Sequence, residues 1–428
     1  MSVPLVCSIM GIEDVVLPIQ GRYAMLTHVP IYQCGDVFKT EPLWEKDLSL
    51  HFDYIDDFHI YCPLLSENAA QGASLAEISR LTRDRIHPIP NTRVGWLRAI
   101  TNILPTFMGI RRAVKENDIV HVGAAGWPFS FAFYVLLLRQ FHRFKWIMLI
   151  ESSFWRLEPG EPVTLRKLFA HHAYMTLLPR CFRLADARIF TQTEYRRTFL
   201  GETTERTLVS PAVWYDADCM ETAAGLAARQ AATRKPRVIF PSRLVTEKGV
   251  RTILEAVRCF NRRRSGMAPL LSLDIMGEGD LAAACRAFAE TEGAGAVRTR
   301  FLDPVPYGQP FLMHLRGYDA LLVANQKAEQ PRIIFDAFSQ GLPVIASRTP
   351  GTSDIVAEGQ NAEMFDVGDA EGLADQLERI ADDRSHFAEL GRQALRTAAA
   401  YTHREMHRVR HKFLLQALSS CDDVRSKT

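Results

Sequence analysis

The stretch RVIFPSRLVTEKG, residues 237–249, decides how the rest of the chain is read. Its apolar run Val238-Ile239-Phe240 is short and β-branched, which predicts a strand buried on both faces. Pro241 and Ser242 end the run, Arg243 and Lys248 follow, and Gly249 opens a helix over 250–260 with Ile253, Leu254 and Val257 in helical spacing. A strand, a turn with two cations and a helix start together suit a phosphate-rich ligand. Arg presents a planar fork to two oxygens, Lys adds a point charge, and the helix end adds unpaired N–H groups and a positive dipole. Taken alone, the two cations read equally well as solvated loop charges.

The pattern continues downstream. LSLDIM (271–276) reads as a strand that turns through Gly277-Glu278-Gly279-Asp280 into a helix over 281–291. The two glycines are a weak signal, because a dinucleotide fingerprint wants a third at 282, where Ala stands. Further strands are expected at 299–302 and at ALLVA (320–324). In AEQPRIIFDAFSQGLPVIAS (328–347), Pro331 suits the first turn of a helix and Gly341 its end. Glu329 falls in the loop before that helix, Asp336 lies on it, and 343–346 form the next strand. A loop with Gly351, Thr352 and Ser353 leads to another helix start, a second phosphate contact. EGQNA (358–362) is a turn, 370–382 an amphipathic helix and 401–418 a long basic helix.

The first half alternates in the same way. Strands are expected at 23–32, 58–62, 118–122, 146–150, 187–191 and 209–213, with helices over 44–52, 98–116 and from 127 to 141. Alternating strands and helices imply parallel, doubly wound sheets, whose ligands sit beyond the carboxyl ends of the strands. That rule gathers Gly35, His121, Gly123, Glu151 and 191–194 at one rim. Lone His28 and His121 also read as satisfied structural histidines. Glu151, just after WIMLI, is costly to bury unpaired and either faces a cleft or solvent. Trp155 and Arg156 either cover an acceptor or simply pack. Residues 130–184 interleave Arg and Lys with Phe, Leu, Trp and Tyr. This suits contact with an anionic membrane, and equally suits amphipathic core helices with solvated cationic faces. The polar, Ala-rich 214–236 reads as a connection containing a helix.

At 428 residues the chain has room for two or three domains. A net charge of +2 gives no global field for nucleic acid, and none is expected as a partner. Eight scattered cysteines without a CxxC pair suit a reducing cytoplasm. The opening residues lack a basic stretch ahead of their apolar ones and do not read as a signal peptide. The apolar window 127–138 is too short to span a bilayer.

RLVTEKG (243–249), IMGEGD (275–280), EQPRIIFDAFSQGLPVIAS (329–347), PGTSDIV (350–356) and EGQNA (358–362) stand in the order and approximate spacing of the retaining GT-B glycosyltransferases of family 4. The resemblance is dense from 236 to 385 and thin before it. It implies an α/β GT-B fold of two Rossmann-like doubly wound domains facing a central cleft. The expected divisions are an acceptor-binding domain at 1–213, a nucleotide-sugar-binding domain at 214–398, and a helix at 399–428 that returns to the first domain. It also implies a retaining hexosyltransferase that needs no metal or other cofactor. Such an enzyme moves a hexose from a nucleotide-diphosphate sugar to a glycan or lipid-linked acceptor in polysaccharide or glycolipid biosynthesis, in the cytoplasm or peripherally at the inner face of the membrane.

By the same resemblance Arg243 and Lys248 hold the donor diphosphate, and Gly277, Gly351, Thr352 and Ser353 line the donor site. Asp336 takes the place of a ribose-binding glutamate. The family's other glutamate stands eight positions earlier, which here is Ala328; the nearest acid, Glu329, is seven before, so the sugar contact and the catalytic role assigned to Glu329 depend on a one-residue shift. Gly35, His121 and Glu151 are the acceptor-side candidates. Nucleotide-sugar epimerisation or hydrolysis, and a catalytically degenerate nucleotide-binding subunit, are the competing readings.

Overall fold

A computed structural model describes residues 17–425 except 71, 73, 92–95, 127–128, 158–162 and 233. The opening residues 1–16, Trp127 and Thr233, which entered the sequence readings, lie outside that set. The chain divides into two compact units, Met1–Ser210 with Met406–Thr428, and Pro211–Glu405.

The first unit contains β1 (Ile19–Leu26), β2 (Ile31–Cys34), β3 (Val37–Thr40), β4 (Ile55–Cys62), β5 (Leu64–Ser66), β6 (Ala76–Glu77), β7 (Ile86–Pro88), β8 (Ile119–Gly123), β9 (Lys145–Ile150), β10 (Ala187–Phe190) and β11 (Thr207–Val209). Seven of these form a parallel sheet in the order β11-β10-β9-β8-β1-β4-β7. Alternate side chains divide between two cores, as the two-residue strand repeat requires. Ala24, Leu26, Val120 and Val122 pack under the helices Ile103–Glu116, Phe131–Leu138 and Leu165–Leu184. Tyr23, Met25 and Ile119 face the other way, among Leu48 and Phe52 of the helix Pro42–Tyr54 and Leu414 of the last helix.

The sequence reading of 23–32 as one strand is corrected. β1 stops at Leu26, and Ile31 opens a separate small sheet ordered β5-β2-β3-β6. Pro30 stands between them without an N–H to continue a ladder. The helix expected over 98–116 is two, Trp96–Thr101 and Ile103–Glu116, and the last strand is Thr207–Val209 rather than 209–213.

The second unit holds β12 (Arg237–Pro241), β13 (Leu271–Met276), β14 (Val297–Leu302), β15 (Ala320–Val323), β16 (Val344–Ser347) and β17 (Ala362–Phe365), all parallel, in the order β14-β13-β12-β15-β16-β17. Val238, Ile239 and Phe240 are at most 2% exposed, and burial of each contributes roughly 1.5–3 kcal/mol. Ile253, Val257 and Phe260 of the helix Val250–Arg263 pack against Val238 and Phe240, together with Leu373 and Leu377 of the helix Ala370–Asp382. β17 and the helix Arg384–Ala399 have no counterpart in the sequence reading.

Both sheets reverse direction once, at β1/β8 in the first unit and at β12/β15 in the second. Such a reversal opens a crevice where the two flanking loops diverge. The motif residues of the opening stretch lie at the second of these. Among the described residues no helix is long and apolar enough to cross a membrane.

Candidate active site at the second switch point

At the loops after β12, β13, β15 and β16, glycines let backbone pack against backbone. Gly277 has φ +143°, and a Cβ there would lie 1.9 Å from the Ser242 carbonyl oxygen. Gly249 has φ +71°, and its Cβ would lie 2.0 Å from the Ala324 carbonyl oxygen at the end of β15. A Cβ on Gly351 would lie 2.2 Å from the Glu329 carbonyl oxygen. Backbone therefore sits directly on backbone at each junction. Hydrogen bonds run across the same seams, from Ser242 N to Met276 O at 3.0 Å, Leu244 N to Glu278 O at 2.7 Å, and Gln326 N to Glu247 O at 2.9 Å.

This stitching brings two candidates into contact. Lys248 Nζ donates to Glu329 Oε2 at 3.3 Å, with the lysine side chain 15% exposed and the glutamate 41%. The Gly351 backbone lies against the Glu329 peptide. Arg243, on the same loop as Lys248, extends into solvent with its side chain 69% exposed and Glu247 Oε1 3.8 Å from Nη2. Glu247 in turn meets Lys327 Nζ at 3.6 Å. These are partly solvated pairs worth about 0–1 kcal/mol, so an arriving anion can displace a carboxylate from its cation at little cost. The pairing of Lys327 with Glu247 had no signal in the sequence, because it depends on how two loops meet.

Asp336 is separate from that group. It is 4% exposed on the helix Ile333–Ser339, and the Tyr307 hydroxyl donates to its Oδ1 at 3.0 Å. Burial pushes its carboxyl up to about 7, while Tyr307 and Arg332 pull it partly back. Tyr307 was missed for want of any local motif. Thr352 is also turned inward, with no exposed surface. Its backbone N–H donates to Thr349 Oγ1 at 3.2 Å and its Oγ1 accepts from the Thr349 backbone N–H at 2.9 Å, forming the capping box of the four-residue helix Pro350–Ser353, while its hydroxyl donates to Ser347 O at 2.6 Å. Its side chain is thus a brace for the loop, whereas Ser353 is exposed.

The first unit does not collect its three candidates at one rim. Gly35, with φ +62° and open space where a Cβ would stand, makes the hairpin turn between β2 and β3 of the small sheet. His121 sits inside the core, 3% exposed, its Nδ1 2.8 Å from the Tyr23 hydroxyl. Burial, with His51 and Arg410 nearby, lowers its pKa to about 3, so it is neutral. The inward alternation of β8 that buries Ile119 carries His121 to the same face. Glu151 is exposed just after β9, where its charge acts on Arg410. Trp155 packs, fully buried and stacked on Tyr174 with ring centroids 4.3 Å apart.

Residues 226–397 match the family described as Glycosyl transferases group 1. Over 163 residues, 37% of this chain, the sequence is 29% identical to the lipopolysaccharide core biosynthesis glycosyltransferase LpsE of Rhizobium meliloti; the matched stretch spans 44% of that relative, less than half its length. HepE of Anabaena, solved in complex with UDP and glucose, has a similar structure with a TM-score of 0.62 at 15% identity, covering 94% of this chain and 100% of that one. The sucrose-phosphate synthase of Thermosynechococcus elongatus reaches a TM-score of 0.65 at 14% identity over 94% of this chain and 100% of its own. The chain thus has the GT-B fold, and its likeness to the glycosyl transferases group 1 family covers residues 226–397.

Proposed function

We propose that this protein is a retaining glycosyltransferase of family 4. In this reading it moves a hexose from a nucleotide-diphosphate sugar to a glycan or lipid-linked acceptor in lipopolysaccharide or polysaccharide synthesis, with the second unit as donor domain and the first as acceptor domain. The observation that carries the reading is the Lys248–Glu329 pair, 3.3 Å apart at the switch point of a sheet whose residues match a glycosyltransferase family. The donor diphosphate displaces Glu329 from Lys248 and draws in the exposed Arg243. As the glycosidic bond breaks, charge grows on the departing diphosphate, and each fixed cation contributes about 3 kcal/mol, roughly 10²–10³ in rate. The two cations supply that charge without a metal or other cofactor. Glu329, released, lies near the sugar. The LpsE likeness supports a lipopolysaccharide acceptor, and the UDP and glucose bound to HepE make UDP-glucose the first donor to try. The protein works at the cytoplasmic face of an anionic membrane.

A second reading, a nucleotide-binding subunit without turnover, is favoured by one observation: the carboxylate expected to meet ribose, Asp336, is buried against Tyr307. One experiment separates the two. A thermal-shift panel of UDP, GDP, ADP and TDP sugars is run on the wild type and on Arg243→Ala with Lys248→Ala, followed by transfer assays with the stabilising donor. A ligand at about 100 times its Kd stabilises by about 2.7 kcal/mol. Stabilisation by one nucleotide in the wild type alone, followed by transfer, is expected. Binding without turnover favours the second reading, and no stabilisation by any nucleotide overturns both.

A further inference from the structure

We propose that Tyr307 is the platform on which the nucleobase of the donor stacks, and that Asp336 is a positioning residue that fixes the ring by holding its hydroxyl. This rests on the donor-site reading above and concerns the part of the ligand that the two cations do not touch. Tyr307 lies in the loop after β14, and Asp336 on the helix after β15, so both stand at the carboxyl ends of parallel strands, as Lys248 and Glu329 do. Tyr307 is 46% exposed, and among the described residues of the second unit it is the one exposed Phe, Tyr or Trp. Yet it is restrained at every point but that face. Its hydroxyl donates to Oδ1 of the buried Asp336 at 3.0 Å. Burial, with Asp336 beside it, raises the phenol well above its usual pKa, so it keeps the proton it donates. Phe311, on the helix Gln309–Leu315, stands with its ring centroid 6.0 Å from that of Tyr307. The backbone is stiff as well: Pro304, Pro306 and Pro310 surround Tyr307 in DPVPYGQP (303–310), each with φ fixed by its own ring.

A ring held at its polar tip and carried on a proline-rich loop presents a flat apolar face that loses little freedom when a ligand covers it. The size of that face points to its occupant. A single exposed ring is far smaller than a protein interface needs. A nucleoside diphosphate, whose phosphates suit Arg243 and Lys248, carries one flat aromatic system on the far side of its ribose. Every base has a π-face, so the platform adds affinity without choosing the base. The same geometry gives Asp336 a role. One methylene shorter than a glutamate and 4% exposed, it is out of a ligand's reach and acts through Tyr307.

The test is calorimetric titration of the full chain with UDP, GDP and ADP, each compared with ribose 5-diphosphate, which keeps the phosphates and the ribose and lacks the base. The wild type should bind its nucleotide about ten- to a hundredfold more tightly than ribose 5-diphosphate, the effect of one base stacked on an aromatic ring. Tyr307→Leu should lose most of that preference while its affinity for ribose 5-diphosphate stays at the wild-type level, a split that a disturbed fold would not produce. Tyr307→Phe keeps the ring and loses the anchor, so its preference should fall about threefold. Asp336→Asn, whose side-chain oxygen still accepts from Tyr307, should keep the wild-type preference. Full preference in Tyr307→Leu would overturn the platform, and full preference in Tyr307→Phe would overturn the positioning role of Asp336. A wild type that binds the nucleotides and ribose 5-diphosphate alike would overturn the proposal and leave the diphosphate site standing, whereas a wild type that binds none of the four would overturn both.

Discussion

Gly351→Ala isolates the geometry of the switch-point loops from their charge. Nothing ionisable changes, and the position does not require a left-handed backbone, so the added methyl acts by volume alone. It would lie 2.2 Å from the Glu329 carbonyl oxygen, 2.4 Å from the Glu329 carbonyl carbon and 2.7 Å from the Ala328 oxygen. Each of these is backbone and cannot rotate aside. Ordinary contact needs about 3.4 Å, so the two loops must part by roughly 1 Å. Overpacking of this kind costs about 1–3 kcal/mol, and the accompanying loss of the Lys248–Glu329 pair adds about 0–1 kcal/mol. At about 2–4 °C per kcal/mol for a domain of this size, the second unit should melt roughly 2–16 °C lower. A 1 Å displacement of a group that contacts the reacting sugar costs about 10² in rate. Transfer should therefore fall about a hundredfold in protein that is still folded at assay temperature. The control is Gly123→Ala, where nothing lies within 4 Å, and its stability should change by less than about 0.5 kcal/mol. A Gly351→Ala protein with wild-type melting and wild-type nucleotide affinity would refute the account of the loops.

Two further expectations concern pH. The folded-state pKa of Asp336 is raised from 3.8 to about 7, so between those values the folded state holds a proton that the unfolded chain has lost, and stability falls as pH rises through that window. Asp336→Asn should therefore gain stability relative to wild type between pH 5 and pH 8, by an amount of order a few kcal/mol, and parallel urea curves at both pH values would contradict this. His121 behaves in the opposite sense: its folded pKa is lowered from 6.5 to about 3, so its contribution is complete above 6.5 and is lost as pH falls. The stability advantage of wild type over His121→Gln in the first unit should shrink on acidification, measured by the near-UV signal of unfolding; an advantage that grows would rule out a neutral buried imidazole.

The buried strands were legible because their signal is local. VIF, LSLDIM and WIMLI each declare themselves by composition, and Gly249 and Gly341 mark helix boundaries through φ +71° and +63°. β17 escaped because AEMF includes Glu363, which reads as polar and exposed. In the folded unit Glu363 is 3% exposed and is held by His386 at 2.5 Å and Arg379 at 2.9 Å, both distant in sequence. His121 failed for a related reason: its place after an apolar strand suggested a rim, whereas the two-residue alternation of β8 turned it into the core beside Tyr23. Lys248 and Glu329 were found separately by pattern, and their contact, across 81 positions, is a product of loop packing alone.

The two units share one topology, so the fold by itself does not explain why the candidate chemistry gathers in the second. The difference lies in what fills each crevice. At the β1/β8 reversal the His28 ring stacks on Phe131 with centroids 3.7 Å apart, and its Nε2 is 3.2 Å from the Ala125 carbonyl oxygen. A Cβ on Gly126 would lie 2.7 Å from that same nitrogen, so the loop closes tightly over the ring. Opening it means giving up aromatic packing that an incoming anion cannot replace. At the β12/β15 reversal the filling is an ion pair, with Glu329 41% exposed and Lys248 behind it. A diphosphate offers the ammonium a stronger version of the contact it already makes, so the exchange favours the ligand. The rigidity comes from the glycine seams around the pair, which fix Lys248 before any ligand arrives. In the proposed reaction the cation is thus already positioned when charge develops on the leaving group, the condition under which electrostatic stabilisation contributes to rate rather than to binding alone.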